Sequence, residues 1–130
     1  INAPPWESVG EIEAIKTHEG QISTADQAEL AKHLAQEQAY FAFLERMWTQ
    51  RGYTEAQRQK AMSEVDEVRR FKTLIGHANY FFKMAESVGV PYKKARDDMG
   101  RYGAWPLNQM NQYIADFMAA HGKQSLWSKP

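Results

Sequence analysis

Residues 71–88 read FKTLIGHANYFFKMAESV, and their spacing decides the fold. Phe71, Leu74, Ala78, Phe81, Ala85 and Val88 recur at alternating intervals of three and four, which places all six on one stripe of a helix. Such a stripe is buried against other helices. The sequence therefore predicts an all-α protein.

Towards the N-terminus, the pattern continues back through Val68 and Val65 to Thr54 and Gln57, the two ends of a capping box that follows a Gly52-Tyr53 turn. A helix from there to Gly89 is long for a globular protein, and Gly76 is the expected kink or break. Before it, Thr24 with Gln27 opens a helix that runs to about Arg51. Its broad apolar set (Leu30, Leu34, Phe41, Leu44, Trp48, flanked by Tyr40, Phe43 and Met47) marks it as the expected central core helix. Pro4-Pro5, with Ser8 and Glu11 as a further capping box, starts a first helix that carries Ile12 and Ile15 and stops at Gly20.

Towards the C-terminus, Pro91 starts a short helix closed by Gly100. A loop over Arg101 to Trp105 follows. Pro106 then starts a last helix, with Leu107, Met110, Ile114 and Phe117 as its inner stripe, and Gln124 to Pro130 is tail. The expected architecture is one domain over 1–130, a bundle of about five helices whose two longest form an antiparallel pair.

A chain of 130 residues can bury a core without a staple. Cysteine is absent, which excludes disulfides, thiolate metal sites and cysteine nucleophiles. The longest all-apolar stretch, Ala39 to Leu44, is far short of the ~18 residues of a membrane span. The chain begins at Ile1, so an excised piece of a longer protein competes with a mature chain after signal removal. Of the two, the excised piece is favoured, and the compartment stays open, with a soluble, cytoplasmic location slightly favoured.

Charge is balanced overall but divided along the chain. Residues 1–68 hold 6 Lys/Arg against 12 Asp/Glu, and residues 69–130 hold 10 against 4, so the halves carry −6 and +6. The division implies attraction between the halves within the fold or across a homo-oligomer, or else a basic surface for an acidic partner.

Several constellations invite a chemical interpretation. Ala85, Gly89, Val90 and Ala95 resemble the spacing of a helix-turn-helix, which would put Lys93, Lys94 and Arg96 on the groove-facing helix. Asp97 and Asp98 follow the two lysines by four residues, and each acid would repel the phosphates that a recognition helix must approach. Arg69, Arg70 and Lys72 form a second basic group near Asp66 and Glu67, with Lys83 as a distant companion.

Glu29, His33 and Glu37 share one helical face, but no matching Glu-x-x-His supplies the rest of a carboxylate-bridged metal site, so they are expected on the surface. The serines lie at caps, helix surfaces or the tail, the glycines are isolated, and the paired carboxylates are adjacent on open faces. Neither an enzyme nor a cofactor is expected.

Aromatic residues divide into a core set and an outlying set of Tyr92, Tyr102, Trp105 and Trp127 in the basic half. Trp105 either plugs the end of the bundle or anchors a partner. Asn108, Gln109, Asn111 and Gln112 form an uncharged polar face that solvation alone explains.

The expected function is a non-enzymatic binding or adaptor module for a protein partner. Its surface would draw on Arg69, Arg70, Lys83, Tyr92, Lys93, Lys94, Arg96, Arg101, Tyr102 and Trp105. The alternative is a nucleic-acid-binding helical domain, part of a replication or mobilisation protein, that uses 85–96.

Overall fold

The computed structural model describes residues 1–102 and 105–122, with Tyr102 described in its backbone only. Five helices and no strand occur among the described residues: α1 (Trp6–Glu19), α2 (Thr24–Gln50), α3 (Glu55–Ser87), α4 (Tyr92–Tyr102) and α5 (Leu107–His121). The all-α bundle is as the apolar spacing implies. Among the described residues, no helix is long and apolar enough to cross a membrane.

The organising contact is a seam between α1 and α3. Trp6 lies beside Val68, Gly10 touches Thr73, Glu13 reaches His77 and His18 packs on Tyr80, so the two helices run in the same direction. At the seam their backbones meet directly. A Cβ on Gly10 would collide with the Thr73 carbonyl, and one on Gly76 with the backbone of Glu7, Gly10 and Glu11.

Gly76 is therefore not a break in the helix. α3 continues through it without a break, and the glycine serves as the flat spot where α1 is seated. Glycine costs a helix interior about 1 kcal/mol relative to alanine, and the backbone-to-backbone packing offsets that cost.

α2 returns antiparallel to α3, with Arg58 paired to Glu45 at 3.5 Å near the turn and Arg69 paired to Glu37 further along. It is not the central core helix. Only His33, Leu44 and Trp48 of α2 are buried, while Leu34 is exposed and Tyr40, Phe41 and Phe43 are half-buried. The central helix is α3, because α1 covers one side of its upper half and α4 and α5 cover another. Phe81, Met84 and Ala85 join Val90, Ala95 and Met99 with Met110, Ile114 and Phe117 in one core. The Phe81 ring stands edge-on to Tyr113 at 5.1 Å and to Phe117 at 5.0 Å. The inner stripe of α5 is thus where its spacing puts it.

Local signals differ in detail from the sequence expectations. The Thr54–Gln57 capping box is present in both directions. α2, by contrast, is capped by Ser23, whose hydroxyl accepts from the Asp26 N–H at 3.1 Å, one residue before the expected Thr24. α1 begins after Pro5 with no side-chain cap, so Ser8 lies inside the helix. α4 continues past Gly100 to Tyr102.

Candidate protein-docking surface

Of the 71–88 stripe, Leu74, Phe81 and Ala85 are buried, Ala78 and Val88 are half-buried, and the first residue is exposed. Phe71 is 56% exposed and Val68, one turn earlier, 47% exposed. Neither residue belongs to the core that Leu74, Phe81 and Ala85 form with α4 and α5, although Val68 shares a groove with Trp6 of α1.

Trp105 stands 51% exposed in the segment before α5. With Glu67, Val68 and Phe71 it lines a cleft of 380 Å³. On the other side of Val68 a groove of 390 Å³ separates α2 from α3, lined by Tyr40, Trp48, Tyr53 and Val65 among others. Trp48 and Tyr53 stack there at 6.3 Å between ring centroids. The two hollows share Val68, so one apolar strip continues across the exposed face of α3.

The basic residues have different fates. Arg69 is held by Glu37, which also accepts from the Trp6 indole N–H at 3.1 Å, and Lys83 is held by Glu11. Both pairs join the acidic half of the chain to the basic half within the fold. Arg70 is exposed and lines a polar hollow with Asp66 and Glu45.

On α4, Lys94 lies 3.7 Å from Asp98, Arg96 lies 3.5 Å from Asp97, and Arg101 also reaches Asp98. Lys93 is exposed. Tyr92 is 57% exposed, with its ring edge-on to Phe82 at 4.7 Å and the Arg96 guanidinium 5.7 Å above it. The side chain of Tyr102 and all of Trp127 lie outside the described residues. The structure thus brings Trp105 to α3, gathers Tyr92 to Arg101 on α4, and places Arg69 and Lys83 in pairs with the N-terminal half.

The helix corner at 85–96 has the small buried residues its spacing suggests. Ala85, Val90 and Ala95 are buried, and Gly89 turns the chain at φ 83°. The helix before the turn is 33 residues long.

A part-buried polar cluster around the buried His77 and Tyr80 was not legible in the sequence. The Asn111 Oδ1 accepts from His18 Nε2 at 3.2 Å and from His77 Nδ1 at 3.1 Å, tying α5 to α1 and α3 at once. His77 Nε2 lies 3.8 Å from Glu13, and the fully buried Tyr80 donates its hydroxyl to Glu19 at 3.2 Å. Burial, then the charge of Glu19 and the bond to it, hold the Tyr80 hydroxyl far above the ordinary tyrosine value. Burial also raises Tyr113, with the charge of Asp98 adding to the effect and Arg101 opposing it.

Asn111 was hidden by its exposed neighbours Asn108, Gln109 and Gln112. Its position four residues after Leu107 and three before Ile114, on the margin of the apolar stripe, was the available signal.

Glu29, His33 and Glu37 do not converge. His33 is buried rather than on the surface and meets Glu29 at 3.2 Å, whereas Glu37 turns to Trp6 and Arg69. Among the described residues no three His, Asp or Glu side chains are grouped to hold a metal ion. Comparison with protein-family models, with curated proteins and with solved structures gave no match.

Proposed function

We propose that this chain is a non-enzymatic helical binding module that engages a protein partner through the apolar and aromatic surface of α3 and its surroundings. One observation carries the proposal: Val68, Phe71 and Trp105 stand about half exposed around a single cleft. Contiguous exposed apolar surface costs an isolated monomer free energy that a partner recovers, and aromatic rings are the usual anchors of such contacts. Tyr92, roofed by Arg96, adds a further exposed anchor on α4. The nucleic-acid alternative has weaker support, because Lys94, Arg96 and Arg101 each lie against an aspartate of their own helix.

The test uses a photo-crosslinking amino acid at position 71, with Ala120, exposed on α5, as the control position. A discrete adduct is expected at 71, absent at 120, and lost when Trp105→Ala is added to a chain that still melts cooperatively. Equal labelling at both positions, or no adduct at 71, overturns the proposal. Titration of oligonucleotides provides a separate arm. Steep salt-dependent binding that collapses in Lys93→Glu/Lys94→Glu/Arg96→Glu would replace a protein partner with a nucleic acid.

A further inference from the structure

The exposed strip of α3 carries a charge pattern that specifies its occupant. Val68, Phe71 and the half-buried Ile75 are spaced three and four, as in the seam of a two-stranded helix pair. Glu67 flanks this seam on one side and Lys72 on the other. Both are exposed, and neither has an ion-pair partner among the described residues. The other basic residue near the strip that faces an acid, Arg69, is already held by Glu37.

In a parallel helix pair, the residue just before one seam position meets the residue five places further along on the other helix. Glu67 and Lys72 are five apart and opposite in sign. In an antiparallel pair like flanks meet instead, the Glu67 side of one helix lying along the Glu67 side of the other, so no Glu67–Lys72 pair can form.

We infer that this face pairs with the same face of a second copy, the two α3 helices running parallel about a two-fold axis. Val68, Phe71 and Ile75 of each copy form the seam. Two symmetric Glu67–Lys72 pairs close its sides, as an isologous contact requires. Glu64, one turn below Val68, bounds the apolar strip. The inference rests on the proposal that this surface binds protein, and it names the partner as the chain itself.

Sedimentation over a range of concentrations should show a monomer–dimer equilibrium. Glu67→Lys and Lys72→Glu alone should each weaken it about tenfold or more, since each puts like charges face to face twice. The double variant should restore it. An equimolar mixture of the two single variants should form a heterodimer tighter than either homodimer. Orientation is read from a thiol, because the chain has no cysteine. Glu64→Cys should give a disulfide-linked dimer on mild oxidation, and Ala120→Cys should not.

A monomer at every concentration, a dimer indifferent to charge reversal, or equal oxidation of the two cysteine variants overturns the inference. The broader proposal is separable by mass. A position-71 adduct at twice the chain mass supports self-pairing, an adduct of another mass overturns self-pairing alone, and the absence of any adduct overturns both.

Discussion

At the scale of single residues, the side chains that matter most are polar ones in apolar surroundings. Asn111 Oδ1 accepts from two imidazoles at once, and of these the His77 ring is buried, so its loss leaves a buried donor without this acceptor. Asn111→Leu should cost about 1–3 kcal/mol by chemical denaturation, the cost of one buried donor left without an acceptor. Asn111→Asp keeps the acceptor and should cost clearly less.

Tyr80 gives a pH signature with a definite sign. An unfolded tyrosine ionises near 10.0, and the folded hydroxyl is held above that value. The folded state therefore retains the proton longer, so stability is intact below pH 10 and falls as pH rises beyond it. Melting temperature measured from pH 8 to 11.5 should show this fall. Tyr80→Phe should flatten it, with a contribution from Tyr113 remaining.

Two phenylalanines ten residues apart complete the contrast. Phe81→Ala should cost about 3–5 kcal/mol, as expected for a fully buried ring. Phe71→Ala and Trp105→Ala should each cost less than about 1.5, because solvent already reaches half of each ring.

At the scale of elements, the same residue type has opposite consequences in three places. Gly76→Ala and Gly10→Ala should each destabilise by at least about 1–3 kcal/mol, because the new methyl lies inside the opposing backbone and the helices must separate. Gly100→Ala meets open space in an exposed helix and should raise stability by about 0.5–1 kcal/mol. Thermal melts of the three variants separate a packing glycine from a merely flexible one.

Sequence could not make that distinction. The Thr54–Gln57 cap, the α5 stripe and the existence of the helices were legible because they depend on local spacing and local hydrogen bonds, whereas the caps of α1 and α2 fall elsewhere than at Ser8 and Thr24. The seating role of Gly76 depends on Gly10, a glycine far away in the chain, so no local signal reveals it. The wide apolar stripe of α2 misleads for a related reason: it shows that burial would be favourable, but not which helix reaches the centre first. The candidate docking surface was half legible. Trp105 stood out among glycine and proline signals, whereas the exposure of Phe71 is a matter of tertiary packing that its place in the apolar stripe does not reveal.

At the scale of the whole molecule, the chain is unevenly consolidated. α1, α3, α4 and α5 share one core, while α2 is joined by a few side chains at its margins. Amide hydrogen exchange should therefore rank the molecule. Protection should be highest over Thr73–Ala85 and α1, and lower along α2, which can detach without opening the core. Uniform protection across all helices would show that α2 belongs to the same cooperative unit.

The glycine seam also sets an order of events during synthesis. Gly10 and Gly76 lie about 65 residues apart, so their meeting closes a large loop whose entropic cost is met before any contact rewards it. α1 leaves the ribosome before α3, yet the surface it needs does not exist until residues 73–76 have emerged. Nascent chains arrested before that point should leave α1 open to proteolysis, and those arrested well beyond it should shield it. α1 is thus held waiting for a backbone surface encoded more than sixty residues later.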